Sequence, residues 1–324
     1  MSGLSREEKE QFIDKGYLIK EEVFKETDFE AVKTSIDQLI DGMASGLKEK
    51  GLIEKTFSEE SFEQRLNKIY EHYPEQIKEF FAALQGAGGG AFADQSMLDT
   101  LRHEGLLSCI EDLVGPDIIG SSVFRIRPKV SGFTGGEVCW HQDSGYLLPH
   151  CDDELIVTCW IPLLDVDDNM GCLYVIPESH KGPVLDHCTG GNAHFLVIPD
   201  DQLPDTKPVC CEMKVGSVLF MTNKTPHASF ENNSGKVRWS LDLRYQSFET
   251  PNNIVGFSDK MPESKTEINI PCYTPEADFI IRDSKNPKNE ITDEVEFRKL
   301  REKYQNVYKT VKGRNWKPYL DYKK

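Results

Sequence analysis

The chain has 324 residues, 38% of them hydrophobic, and a formal net charge of −16. That length holds one large domain or two small ones. The charge argues against nucleic acid as a partner, since phosphate binding needs a basic face, but says little about small ligands, because the field inside a pocket is local.

Ser5 with Glu8 reads as a capping box that opens a short helix. Gly16-Tyr17-Leu18-Ile19 then reads as a short strand. From Thr27 to about Leu47, apolar residues recur at helical spacing: Phe29, Val32, Ile36, Leu39, Ile40 and Met43. Residues 58–84 read as a second helical stretch, interrupted near Pro74. Gln85 to Gly90 is glycine-rich but lacks the Lys-Ser/Thr of a P-loop, so it reads as a plain turn. Residues 96–113 read as a third helix, ended by Gly115-Pro116.

From Ile118 the period changes. Strand-like runs fall at 118–127, 136–141, 155–163, 171–176, 194–198, 208–213, 217–222 and 236–246, separated by turn residues. Many short, regularly punctuated strands predict a sandwich or jelly roll. Residues 250–297 are irregular and polar, and are expected to pack over the barrel or form a lid. Val295 to Val311 reads as a charged helix, and the basic residues of the tail (Lys309, Lys312, Arg314, Lys317, Lys323, Lys324) as solvated surface.

Three residues stand out for chemistry. His141 and Asp143 lie two apart at the end of a strand-like run, so both side chains point to one face. His227 follows the strand Ser217 to Thr222 and comes directly after the rigid Pro226. Two imidazoles and one carboxylate hold one face of an octahedral metal and leave the other open, as in non-haem Fe(II) oxygenases. Eleven residues beyond His227 lies Arg238. On the strand Lys236 to Gln246 it shares a face with Ser240, Asp242 and Arg244, while Trp239, Leu241, Leu243 and Tyr245 face the outer core. A buried guanidinium needs an anion. Asp242 is the expected partner of Arg244, which leaves Arg238 to fork a ligand carboxylate. Thr158 and Trp160 share a second inward face.

These segments together resemble the phytanoyl-CoA dioxygenase family of Fe(II)/2-oxoglutarate oxygenases. The matching stretches are His141-Gln142-Asp143 with Tyr146, Leu155 to Trp160, Asn169-Met170-Gly171-Cys172-Leu173 leading into Pro177 to Lys181, and His227-x-Ser229 followed by Arg238. Gln11 to Tyr17 also resembles the family's opening, so the likeness runs over about residues 5–250. It implies a mainly β fold with flanking helices around a double-stranded β-helix (jelly roll, cupin-like) core. One domain then spans 1–324, with a helical part at 1–117, the core at 118–249, and a lid and helix at 250–324. It implies Fe(II) on His141, Asp143 and His227, and 2-oxoglutarate held by Arg238 and Ser229 with Trp160 and Gln142 nearby. It further implies O2 as co-reactant, hydroxylation of a small-molecule substrate, and release of succinate and CO2. Asn169-Met170-Gly171 and His180 then shape a turn.

The chain departs from the family in two places. Glu178 stands where Gly is usual. Some relatives place a cosubstrate-contacting Lys well upstream of the His-x-Asp pair. No Lys lies between Glu79 and Pro128, which makes Arg125 or Arg127 the expected substitute. The readings from other classes are a catalytically silent metal- or ligand-binding barrel and a cupin-like metal isomerase or hydrolase. Neither needs an Arg eleven residues after the second His. Residues 45–95 and 250–290, which should shape the substrate pocket, carry no readable motif.

Nine Cys, an odd number without CxxC, predict free thiols in a reducing cytoplasm. Met1 to Glu8 does not read as a signal peptide, no apolar run has transmembrane length, and the terminal Asp321 to Lys324 is no peroxisomal address. Cys210-Cys211 reads as part of a strand.

Overall fold

Helix α1 (Arg6–Lys15) begins at the predicted capping box. Ser5 Oγ accepts from the Glu8 N–H at 3.2 Å, and the Glu8 carboxylate accepts from the Ser5 N–H at 2.7 Å. It ends at Gly16, whose φ of +79° is left-handed and whose missing Cβ leaves room for the His180 ring. The structure, a computed structural model, describes residues 3–85, 93–121, 124–147, 149–190, 195–250, 279–305, 314 and 316–319.

After β1 (Tyr17–Lys20), helix α2 (Glu30–Glu49) buries Val32, Ile36, Ile40, Ala44 and Leu47 along one stripe. The stretch around Pro74 divides into α3 (Arg65–His72) and α4 (Ile77–Gln85). Where one helix was expected over 96–113, there are two, α5 (Gln95–Leu101) and α6 (Glu104–Val114). Arg102 sits at the break and donates to the Ile281 carbonyl at 2.5 Å and to Glu290 at 2.9 Å. The glycine run from Gly86 lies outside the described residues.

The strands are β2 (Ile118–Gly120), β3 (Arg125–Lys129), β4 (Val138–His141), β5 (Ile156–Pro162), β6 (Leu173–Val175), β7 (Cys188–Thr189), β8 (Val209–Cys211), β9 (Val218–Thr222), β10 (His227–Ser229), β11 (Arg238–Ser247) and β12 (Phe279–Arg282). Helix α7 (Glu294–Gln305) and a two-residue strand β13 (Lys317–Pro318) follow. A seven-stranded sheet runs β1-β9-β5-β11-β2-β12 with β3 also paired to β11, and a four-stranded sheet runs β4-β10-β6-β8. Apart from the parallel β13–β7 pair, every ladder is antiparallel. From β3 to β6, and again from β8 to β11, successive strands alternate between the two sheets, while β6 and β8 both lie in the smaller one. The fold is mainly β with flanking helices.

Three sequence readings need correction. The run 118–127 is two strands, β2 and β3. Of the predicted strand 194–198, Val197 alone makes a bridge, to Cys188, and 191–194 lie outside the described residues. Phe279–Arg282, read as irregular, is a strand that pairs with β2 and buries Phe279 and Ile281. The remainder of the proposed lid, 251–278, is outside the described residues.

The long strand β11 holds the fold to the site. Its outer face buries Trp239, Leu241, Leu243 and Tyr245. Trp239 stacks on Phe62 at 4.9 Å, and the Tyr245 hydroxyl donates to the Leu101 carbonyl at 2.9 Å. The N-terminal helices therefore cover this face, and Arg238, Ser240, Asp242 and Arg244 turn inward.

Candidate active site

His141 and His227 face one another directly across the β4–β10 ladder. Their ring centroids are 4.2 Å apart, and Asp143 follows β4 by two residues. One ligand atom from each of the three lies within 4.8 Å of the others, and all three are buried. Each imidazole is oriented by its own backbone. Nδ1 of His141 lies 2.8 Å from the Cys139 carbonyl, and Nδ1 of His227 lies 3.0 Å from the Thr225 carbonyl. A carbonyl only accepts, so each Nδ1 carries a proton and Nε2 is the nitrogen left to ligate. Burial, then the neighbouring His227, pushes His141 well below the usual imidazole range, which keeps it in the ligating neutral form.

Asp143 is held ionised. Burial alone would raise its carboxyl, but Arg244, His227 and His141 together lower it far below the ordinary carboxylate range. Arg244 Nη2 donates to Oδ1 at 2.8 Å and Nε to Oδ2 at 3.1 Å, and the Thr158 hydroxyl donates to Oδ2 at 2.5 Å. Each carboxylate oxygen has two lone pairs, so these bonds leave Asp143 able to ligate. A divalent metal fits this donor set: two imidazoles whose Nδ1 atoms are held by backbone carbonyls, and one ionised carboxylate.

The cavity beside the triad is lined by both sheets. The larger sheet gives Thr158, Trp160, Arg238, Asp242 and Arg244; Ser229 comes from the smaller. Arg238 is 2% exposed, and its Nε and Nη1 have no partner among the described residues. Its guanidinium lies 5.2 Å from the Trp160 ring. Burial lowers Arg238 to about 10, so it stays protonated at neutral pH. A buried guanidinium with two idle donors is costly, and a carboxylate between Arg238 and the triad would relieve it. The Ser229 hydroxyl is already engaged on both sides, donating to the Gly171 carbonyl at 2.8 Å and accepting from Lys129 Nζ at 2.6 Å.

Two sequence readings fail here. Arg244 does not pair with Asp242; it pairs with Asp143, while Asp242 holds Arg127. The cause is sheet pairing: β3 brings Arg127 opposite Ser240, one step from Asp242 on the same face, whereas Arg244 reaches the loop after β4. Gln142 does not line the cavity. It lies between two inward residues on extended backbone and so points the other way. There its amide donates to the Lys224 carbonyl at 2.8 Å and accepts from the Leu185 N–H at 2.7 Å.

Four residues had no clear signal. Lys129 lies one place past the window searched for a lysine, and its ammonium is buried against Ser229 and the Phe230 carbonyl. His187 accepts from the Gln142 N–H at 3.0 Å and stands so close to Gly145 that a Cβ there would lie 2.7 Å from its Nε2. Burial lowers His187 to about 4, so it remains the neutral acceptor this bond needs. Trp316 donates to the Gly145 carbonyl at 2.9 Å, and Arg314 pairs with Asp152, so this part of the basic tail is tied to the loop carrying Asp143. Elsewhere the turn residues read as expected. Gly171 takes φ +66° after a short helical turn. Glu178 also takes φ +66° and pairs with Lys15.

A family model described as phytanoyl-CoA dioxygenase matches residues 12–240. A phytanoyl-CoA dioxygenase of Arabidopsis thaliana is 25% identical over 72% of this chain and 85% of its own length. The peroxisomal phytanoyl-CoA dioxygenase of Rattus norvegicus is 29% identical over 44% of this chain but only 43% of its own length. Among solved structures, the non-heme monooxygenase ThoJ in its apo form superposes with a TM-score of 0.54 at 14% identity, over 93% of this chain and 97% of that one. At that identity the likeness concerns the fold. No helix among the described residues is long and apolar enough to cross a membrane.

Proposed function

The chain belongs to the phytanoyl-CoA dioxygenase family and is an Fe(II)- and 2-oxoglutarate-dependent dioxygenase, and from that premise we propose that it hydroxylates a C–H bond of a small organic substrate, releasing succinate and CO2. The observation that carries this reading is a single cavity holding both a convergent His141–Asp143–His227 set and a buried Arg238 with two idle donors. His141, Asp143 and His227 would hold Fe(II) and Arg238 the far carboxylate of 2-oxoglutarate. With 2-oxoglutarate and O2, bound iron supplies the oxidising power that a C–H bond requires.

The chain's own residues do the rest. The Cys139 and Thr225 carbonyls fix the two imidazoles. Arg244 and Thr158 keep Asp143 charged and oriented, so the ligand set is ready before the metal arrives. Trp160 packs against the guanidinium of Arg238 and limits its swing. Val138, Leu173 and Met221 line the same cavity and exclude water from part of it. No side chain need act as a general base. The rival readings, a silent binding barrel and a cupin-like isomerase or hydrolase, leave Arg238 without a role. The phytanoyl-CoA in the relatives' names describes those proteins and is not transferred to this one.

The test is His227→Ala. The purified variant should keep the fold, lose iron, and release no succinate from 2-oxoglutarate. Unchanged iron stoichiometry in that variant would sink the triad.

A further inference from the structure

Asp143 opens a single short helical turn, Asp143–Tyr146, that follows directly on β4. A turn of that length cannot pair its own last carbonyls. Here the donors come from near the far end of the chain. Trp316 Nε1 donates to the Gly145 carbonyl at 2.9 Å, and Arg314 Nε donates to the Leu147 carbonyl at 2.6 Å. Arg314 is itself fixed by Asp152, with Nη1 donating to Oδ2 at 3.0 Å.

The same stretch reaches the metal-binding segment a second time, through His187. Strand β13 pairs in parallel with β7, Lys317 opposite Cys188. One step back, Trp316 falls beside His187, with ring centroids 5.3 Å apart. His187 Nδ1 lies 2.7 Å from the Leu185 carbonyl and so carries a proton. Its Nε2 accepts the Gln142 N–H at 3.0 Å, and that amide lies between His141 and Asp143. Trp316 therefore holds the carbonyl of Gly145 directly and packs against the ring that holds the amide of Gln142. His187 is buried, and Trp316 is half-buried, closing over it.

We propose that Trp316 is a positioning residue for the metal site, and that residues 314–318 form a strap whose docking and iron binding reinforce each other. The proposal rests on the assignment of Fe(II) to His141, Asp143 and His227 above. The strap removes freedom from the segment that carries two of the three ligands, so less ordering remains to be done when the metal binds. Coupling of this kind is reciprocal: the factor by which the docked strap tightens iron binding is the factor by which iron tightens the docking of the strap.

The experiment is Fe(II) titration, without oxygen, of the full-length metal-free protein and its variants, with hydrogen exchange of the peptide spanning 314–319 followed with and without the metal. Trp316→Leu loses both the N–H donor and the ring against His187, and Trp316→Phe loses the donor alone. The dissociation constant for Fe(II) should rise about tenfold in Trp316→Leu and by less in Trp316→Phe, while the Michaelis constant for 2-oxoglutarate at saturating iron changes little. Lys317→Ala, in the same stretch but with an exposed side chain, should keep its iron affinity. In the unaltered protein Fe(II) should slow exchange across 314–319, and in His227→Ala it should not. Unchanged iron affinity in both Trp316 variants overturns the proposal, even beside a lowered melting temperature, because Trp316 would then be a structural contact only. Equal losses in Lys317→Ala overturn it too. Should Trp316→Leu fail to fold, Trp316→Phe and the exchange measurement decide, and exchange that ignores Fe(II) counts against the strap. An unaltered protein that takes up no Fe(II) overturns the metal assignment, and the proposal with it.

Discussion

Arg244 grips Asp143 at both carboxylate oxygens, Nη2 to Oδ1 at 2.8 Å and Nε to Oδ2 at 3.1 Å. The pair joins a strand of the larger sheet to the loop that leaves the smaller one, so it fixes the third corner of the metal site relative to the two histidines. Arg244→Lys keeps the charge but loses the planar fork. Removing an outer partner of a metal ligand costs roughly 10- to 100-fold in metal affinity. An Fe(II) titration of Arg244→Lys should show a loss of that order, with the Michaelis constant for 2-oxoglutarate changed little at saturating iron. Unaltered iron affinity beside a raised constant for 2-oxoglutarate would make Arg244 a cosubstrate contact instead.

Arg238→Lys should give the opposite pattern. The lysine still places a positive charge near Trp160 but cannot offer two parallel donors. Loss of a charge-assisted hydrogen bond costs about 1.5–3 kcal/mol, about ten- to a hundredfold in the apparent affinity for 2-oxoglutarate. Iron content should match the unaltered enzyme. Equal constants for 2-oxoglutarate in the two proteins would remove Arg238 from the cosubstrate site.

The two arginines also show what the sequence carried and what it did not. The inward phase of Arg238, Ser240, Asp242 and Arg244 is a period-two property of one strand, and local pattern revealed it. Which acid meets which base depends on strands over a hundred residues away. β3 supplies Arg127 to Asp242, and the loop after β4 supplies Asp143 to Arg244. Gln142 was misread for a related reason. The likeness to relatives placed it near the cosubstrate, although alternation on extended backbone already turned it away from its neighbours His141 and Asp143. Trp316 and Arg314 lie beyond the part of the chain that the family model matches, and nothing local marks them as supports of the Asp143 loop. The helical first third and the change of period at Ile118 were legible because each rests on short-range spacing.

The thiols provide a further check. The eight cysteines of the described residues are free, although Cys172 and Cys210 approach to 3.2 Å between neighbouring strands. Burial pushes Cys109 up to about 11 and Cys211 up to about 12, so these are thiols rather than thiolates at neutral pH. Denatured, unreduced protein should react with a thiol reagent to the extent of all nine cysteines, and the native protein should react far more slowly. A shortfall of two on denaturation, recovered by reductant, would reveal a disulfide, and peptide mapping would decide whether it joins Cys172 to Cys210.

Lys129 gives a prediction with a definite sign. Its ammonium is buried against Ser229 and the Phe230 carbonyl, and burial followed by the charges of Arg238 and Arg127 lowers it from 10.5 to about 6. Between those two values the unfolded chain binds a proton at this position and the folded chain does not. Stability therefore rises with pH across that window, and the penalty for burying the charge is fully present below about pH 6. Lys129→Met removes the titrating group while keeping a long, flexible side chain. Relative to the unaltered protein, the variant should fare best near pH 6 and lose ground steadily as pH rises toward 9, whatever constant offset the lost hydrogen bonds impose. Melting temperatures of the two proteins across that range supply the comparison. A gap that stays flat would mean that Lys129 keeps its ordinary proton in the folded state.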